Sequence, residues 1–312
     1  MNMSNFFYPV GVGSMMMGWR LDYKNSERII SIAHDHEIFF LDSSVSYARG
    51  DAHKIIAKAL KKLKLKDKFF IATKIGGMSE DLAPKKDIGF SKKNIIRQCE
   101  IALNQLCVES IDLLQLHYPV KDRDYAEILE TLDLLKNQGK IKNYGLCNFQ
   151  GNDVAKILCS AKKQGINLPI TNQFEYNLLN HSYQKLLFSE MRSRKIHTIT
   201  WGSLSSGLLT DWYLTNSNLK PDSRIKIGKE NQKKSILLRE NSTKKIIRNI
   251  SSICKESGIS PQVFSVGWVI HQQPNNCLLL GPSSPSQFDE LISGINKLKE
   301  MKINFNFIEN EL

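Results

Sequence analysis

The chain has 312 residues, 41 % hydrophobic and 24 % charged, with 43 Lys and Arg against 31 Asp and Glu for a formal net charge of +12. That balance excludes a disordered, collagen-like or disulfide-stapled chain and leaves room for one large core. No apolar run approaches the ~18 residues of a membrane span, and Met1–Asn5 lacks the charged and apolar segments of a signal peptide, so a cytoplasmic protein without membrane contact is expected.

In chain order, the sequence predicts a glycine-punctuated strand over Val10–Met17 and a helix over Ser26–Glu37, with Ile29, Ile30, Ile32 and Ala33 on one side. A strand at Phe39–Leu41 ends at Asp42, a helix follows over Ala52–Leu63, and the strand Phe69–Thr73 ends at Lys74. Ser91 is the expected cap of a helix running to Leu106, and the strand Ile111–Leu116 ends at His117. Tyr125–Gln138 is an amphipathic helix stopped by Gly139, followed by a strand over Ile141–Leu146 and a helix over Asp153–Lys163. The strand Ile170–Phe174, the helix Tyr183–Ser193 and the strand Thr198–Trp201 come next. A long β7-to-α7 connection, about 209–240, precedes helices over Thr243–Ser257 and from Pro261 to about Ile270. The strand Cys277–Leu280 and the helix Ser286–Leu298 finish the series. Strand and helix thus alternate throughout, and the strands read as continuous apolar runs, as expected where both faces are covered. The expectation is one α/β domain over residues 1–312, a (β/α)8 TIM barrel.

The basic excess is scattered. Its densest stretch, Lys58 to Lys68, is interleaved with Leu60, Leu63 and Leu65, as on a solvated helix face followed by a turn, so no nucleic-acid partner is inferred. Cys99, Cys107, Cys147, Cys159, Cys254 and Cys277 form no C-x-x-C pair and have no histidine at metal spacing. They are expected to be reduced thiols, each a small buried hydrophobe, and no metal is assigned.

In such barrels the chemistry sits at the C-terminal strand ends. Three successive strands end in Asp42, Lys74 and His117, and Tyr47 follows Asp42 in the same loop. A tyrosine with a pKa near 10 is a poor acid at neutral pH, and a neighbouring cation stabilises its phenolate. Asp42 would hold Lys74, and His117 would orient a substrate carbonyl, a set suited to carbonyl reduction with Tyr47 as general acid. A nicotinamide would have to bring the hydride. His34, His36, His53, His181, His197 and His271 sit at no strand end facing an acid, and receive no role.

Seven segments, FFLDSSVSYARG (39–50), FIATKIGG (70–77), SIDLLQLHYP (110–119), IKNYGLCNF (141–149), TNQFEYN (171–177), WGSLSSGLLT (201–210) and LLLGPSSPSQ (278–287), together resemble the aldo-keto reductase family in order and spacing. The opening GSMMMGWRLDYKNS (13–26) is similar to a branch of bacterial oxidoreductases, and GPSSPSQ to the potassium-channel β-subunit branch. The resemblance implies NADP(H)-dependent reduction of small aldehydes or ketones to alcohols by Asp42, Tyr47, Lys74 and His117, with NAD(H) as the alternative cofactor and no metal. It implies that Cys147, Asn148 and Gln173 meet the nicotinamide carboxamide and that Trp201 stacks on its ring. Gly202, Ser203, Leu204, Ser206, Gly207 and Leu208 would follow the pyrophosphate, and Gly281, Ser283, Ser284 and Gln287 would meet the adenosine end. Met17, Gly18 and Trp19 match the cofactor end of the first strand, and Trp19 and Tyr118 are candidate walls of the substrate pocket. Cys147 stands where the family has serine, and Ser203 where it has proline. Gly281 and Gln287 stand where many members carry a lysine and an arginine for the 2′-phosphate, so a preference for NADP rests on Arg224, Ser283 and Ser284.

The expected partner is a small carbonyl or alcohol substrate, and the expected state a monomer or weak homo-oligomer. The alternative function is a cofactor-binding regulatory subunit or redox sensor with little turnover. A Schiff-base enzyme using Lys74 as nucleophile is a further rival.

Overall fold

The computed structural model describes residues 9–76, 89–120, 125–215, 220, 223–227, 236–272, 276–300 and 305. Its strands are β1 (Val10–Gly13), β2 (Phe40–Asp42), β3 (Phe70–Ile75), β4 (Ile111–Leu116), β5 (Ile141–Cys147), β6 (Thr171–Glu175), β7 (His197–Trp201) and β8 (Asn276–Leu280). They pair in chain order, all parallel, and β1 closes the barrel on β8 through Val10–Leu278, Gly11–Leu279 and Val12–Leu280. Helices α1 (Tyr23–Asp35), α2 (Asp51–Leu63), α3 (Lys92–Leu106), α4 (Ala126–Asn137), α5 (Gly151–Gln164) and α6 (Ser182–Ser193) link the first seven strands. After β7 come the short α7 (Asp211–Thr215) and α8 (Arg224–Ile227), then α9 (Asn241–Ser257) and α10 (Pro261–Gln272), and α11 (Pro285–Glu300) follows β8. The chain is therefore a (β/α)8 barrel.

The two-residue period of a strand explains both core and site. One set of side chains, Phe40, Phe70, Ala72, Leu113, Ile199, Cys277 and Leu279, fills the barrel, with Phe40 and Phe70 stacked at 5.6 Å. Gly11 is required here, because a Cβ on it would lie 3.2 Å from Phe40 Cβ and closer still to the ring. The alternate set, including Val12, Leu41, Ile71, Leu114 and Leu146, packs outward against Ile29, Ile56, Ile95, Leu132 and Ile157 of the helices. Two residues beyond Phe40, Ala72 and Leu113, the inward positions become Asp42, Lys74 and Gln115. A dry apolar plug thus ends in a polar layer at the barrel mouth.

Several boundaries differ from the sequence expectation. Strand β1 stops at Gly13, not Met17, because the Met17 N–H turns back to the Ser14 carbonyl (2.9 Å) and Gly18 (φ 77°) continues the turn. Met16 and Met17 stay buried, so an apolar run imitated a strand where the backbone bonds make a turn. Helix α1 starts at Tyr23 because Asp22 caps it, accepting from the Asn25 N–H at 2.8 Å, while Ser26 donates back to the Asp22 carbonyl at 2.7 Å. Ser91 does cap α3, and Pro261 does open α10. The 209–240 stretch carries α7 and α8, which bury Tyr213 and Ile225 against Leu208.

The cysteine expectation holds for Cys99, Cys147, Cys254 and Cys277, which are buried, and is corrected for the other two. Cys107 is exposed because it ends α3 in a left-handed conformation (φ 54°). Cys159 is exposed because α5 buries Val154, Ile157, Leu158 and Ala161 instead. Among the described residues, no helix is long and apolar enough to cross a membrane, and no group of three or more His, Cys, Asp or Glu is arranged to hold a metal.

Candidate active site

Lys74 and Asp42 are 0 % and 2 % exposed at the mouth of the barrel and form a direct ion pair through Asp42 Oδ2. The Lys74 ammonium also donates to the Ser43 carbonyl at 2.9 Å and to the Tyr47 hydroxyl at 3.3 Å. Asp42 Oδ1 accepts from Gln115 Nε2 at 3.1 Å and Gln173 Nε2 at 3.0 Å. The carboxylate is thus bonded on both oxygens, as a buried anion requires.

The electrostatics follow from that geometry. Burial opposes the charge on Lys74, but Asp42, aided by Tyr47 and Cys147, outweighs it and holds the ammonium's pKa above its usual value. Burial pushes Tyr47 up to about 12 against the downward pull of Lys74, so the residue is a phenol across the neutral range. Burial, then the Lys74 charge, push His117 down to about 3, leaving a neutral imidazole. Its Nδ1 lies 3.3 Å from Ser44 Oγ, and its ring meets that of Tyr47 edge-on at 6.1 Å. Ser44 has one hydroxyl hydrogen and three acceptors in reach, namely the Lys74 carbonyl (3.3 Å), His117 Nδ1 and Ser46 Oγ (2.9 Å).

Gln115 was not singled out in the sequence, yet it is buried and bonded to Asp42. It lies two residues before His117 on the same inward face, and that spacing was the available signal.

The residues matched to a cofactor fall into three groups. In the first, both amide hydrogens of Asn148 are engaged, with the His117 carbonyl (3.0 Å) and Cys147 Sγ (3.3 Å). Those of Gln173 go to Asp42 and to Gln115 Oε1 (3.3 Å). The acceptor oxygens of the two amides suit a ligand that brings N–H donors, and a carboxamide is one. Cys147 is buried, its thiol pushed up to about 12, and donates to Gln173 Oε1 at 3.7 Å.

In the second group, the loop after β7 passes through left-handed Gly202 (φ 76°), Ser205 (46°), Ser206 (59°) and Gly207 (102°). A backbone curled by left-handed residues suits an anion. Ser203 and Leu208 are buried, so those positions present backbone rather than side chain. In the third, Ser284 Oγ accepts from the Gln287 N–H (3.2 Å) and Gln287 Oε1 accepts from the Ser283 N–H (2.7 Å), so both side chains close the first turn of α11. Gly281 has open space, with the Gly13 carbonyl 3.9 Å from where a Cβ would stand. Arg224 opens α8, and its side chain lies outside the described residues. Trp201 is half-buried against the barrel plug.

Tyr118 is 45 % exposed and stacks on His117 with ring centroids 4.5 Å apart and planes 2° from parallel, extending the wall of the mouth. Trp19 is 49 % exposed and lines a groove of about 550 Å³ with Tyr23, Lys54, Ile55 and Lys58. That groove and the Asp42–Tyr47–Lys74–His117 set share no lining residue.

The sequence pattern of the aldo/keto reductase family matches residues 9–304. The chain is 24 % identical over 286 residues to a probable voltage-gated potassium channel subunit beta of Arabidopsis thaliana, spanning 89 % of this chain and 84 % of that relative. In fold it is similar to a glycerol dehydrogenase from Gluconobacter oxydans, with a TM-score of 0.78, 23 % identity and coverage of 98 % of this chain and 91 % of that one.

Proposed function

The chain belongs to the aldo/keto reductase family, and from that premise we propose that it reduces small aldehydes or ketones to alcohols with NADPH, Tyr47 giving the proton. One observation carries this reading, the buried Lys74 ammonium that bonds both Asp42 and the Tyr47 hydroxyl. A structural ion pair needs no phenol. A phenol that must become an anion during turnover does need a cation beside it.

A bound nicotinamide supplies the hydride. Tyr47 protonates the alkoxide as it forms, and Lys74 stabilises the phenolate left behind. Asp42 keeps Lys74 charged and in place, with Gln115 and Gln173 holding Asp42. When Ser44 donates to His117 Nδ1, the neutral ring carries its hydrogen on Nε2 and offers it to the substrate oxygen. Asn148 and Gln173 would accept from the carboxamide, Trp201 would pack on the ring, and Gly202 to Leu208 would hold the pyrophosphate. Gly281, Ser283, Ser284 and Gln287, with Arg224, would hold the adenosine end, and Tyr118 and Trp19 would border the substrate.

A pH prediction follows from the directions of the shifts. Tyr47 stays a loaded acid below about pH 10, and His117 stays neutral above about pH 5. The kcat for reduction is expected to be level between about pH 6 and 9. An acid limb near 6.5, the ordinary histidine value, would instead make a protonated His117 the donor.

Tryptophan-fluorescence titration with NADPH and with NADH, followed by a carbonyl panel, tests the whole reading. Tight NADPH binding with turnover is expected. Equal binding of NADH would remove Arg224 from a phosphate role, and tight binding without turnover would favour the regulatory alternative. Absence of binding by either cofactor would refute the reductase.

A further inference from the structure

Tyr47 is followed by three residues in left-handed conformations, Ala48 (φ 47°), Arg49 (φ 57°) and Gly50 (φ 91°). For Ala48 and Arg49 that conformation is strained, and such strain persists only where the surroundings impose it. In front, Gly18 approaches so closely that a Cβ on it would stand 3.1 Å from Ala48 Cβ and 3.2 Å from Asp51 Cβ. Behind, Gly50 lies against the Gln105 side chain, leaving no room for a Cβ.

Gln105, on α3, is held by His53, whose Nδ1 is 3.0 Å from Gln105 Oε1. His53 lies in the first turn of α2 and is 0 % exposed. Its Nε2 is 2.8 Å from Thr73 Oγ1, and Thr73 precedes Lys74 on β3. Because Gln105 Oε1 only accepts, the His53 hydrogen sits on Nδ1 and Nε2 accepts from the Thr73 hydroxyl. Burial pushes the ring down to about 4, consistent with that neutral form.

A circuit therefore runs from Tyr47 through its strained turn to Gln105, His53 and Thr73, then to Lys74 and across 3.3 Å back to Tyr47. We propose that His53 is a positioning residue, fixing the Tyr47 hydroxyl against the Lys74 ammonium by tying the turn that follows the one to the strand that carries the other. This role rests on the reading of Tyr47 as the acid.

The test compares H53L, T73V, H53Q and Y47F with the parent, using NADPH and 4-nitrobenzaldehyde as probes. H53L keeps the volume without the hydrogen bonds. T73V breaks the circuit at a second point and serves if H53L does not fold. In H53Q, a side chain that donates to Gln105 and accepts from Thr73 rescues the link. Loss of about a hundredfold in kcat is expected for H53L and T73V, with the NADPH Kd within about twofold and most of the loss recovered in H53Q. Labelling with 3-fluorotyrosine supplies a readout without turnover: the Tyr47 resonance, assigned by its absence in Y47F, should move in H53L and T73V and return in H53Q. An unmoved resonance, or kcat per folded enzyme within about threefold of the parent in H53L and T73V while Y47F loses about 10³-fold, would overturn the role of His53 alone. A Y47F variant that keeps a tenth or more of the parent kcat would overturn the reading beneath it as well.

Discussion

Replacing Tyr47 with phenylalanine is expected to lower kcat for carbonyl reduction by about 10³-fold, within the range spanned by losing a general acid. The ring keeps its edge contact with His117, and the hydroxyl's bond to Lys74 at 3.3 Å is a long one. Its loss costs stability about 1 kcal/mol at most. The NADPH Kd should stay within about twofold, because in the proposed reaction the hydroxyl meets the reacting oxygen rather than the parts that anchor the cofactor. Steady-state kinetics with binding by fluorescence read both quantities. A variant retaining a tenth of the parent kcat would remove Tyr47 from the chemistry.

The second large effect is at Lys74. Lys74→Met should abolish measurable turnover, because the phenol loses the cation that lowers its pKa while burial continues to raise it. It should also destabilise the fold by about 3–5 kcal/mol, because the Asp42 charge is left buried without its partner. The double variant D42N/K74M separates these effects. The amide oxygen introduced by D42N would still accept from Gln115 and Gln173, and no ion would remain uncompensated. Thermal unfolding should recover most of the lost stability, while turnover stays absent. Recovery of turnover together with stability would show that Lys74 serves the fold and not the reaction.

Both variants act on residues legible in the sequence, and the reason is physical. Asp42, Lys74 and His117 each follow an apolar run and stand within one residue of a strand's C-terminal end, so one rule about barrels finds all three. Gln115, two residues before His117, obeys the same alternation and stands next to last in β4 as Lys74 does in β3, but in the sequence it lies inside a run that continues to Leu116, so a rule about run ends passes over it. His53 shares the buried stripe of α2 with Ile56 and Leu60, spaced by three and seven residues. That placement was readable, whereas its bonds to Thr73 and Gln105, 20 and 52 residues away, exist only once three elements have packed.

The sequence carries β1 on to Met17 because Met15 to Met17 are as apolar as a strand, whereas the Met17–Ser14 bond makes them a turn. The helices α7 and α8 are short, of five and four residues, and owe their form to packing around Leu208 rather than to local pattern. Gln173 shows the limit of resemblance, which implies a cofactor ligand. The amide hydrogens point instead to Asp42 and Gln115, leaving its oxygen for that role.

In the proposed reaction a hydride reaches a carbonyl carbon at this barrel mouth and a proton passes from Tyr47 to its oxygen. Incubating the protein with NADPH deuterated at the transferable position and 4-nitrobenzaldehyde, then reading the alcohol by mass spectrometry, follows the hydride itself. The alcohol is expected to carry one deuterium on its carbinol carbon and to form in Y47F at about a thousandth of the parent rate. An alcohol without that label, or its formation by Y47F at a tenth or more of the parent rate, would rule the transfer out.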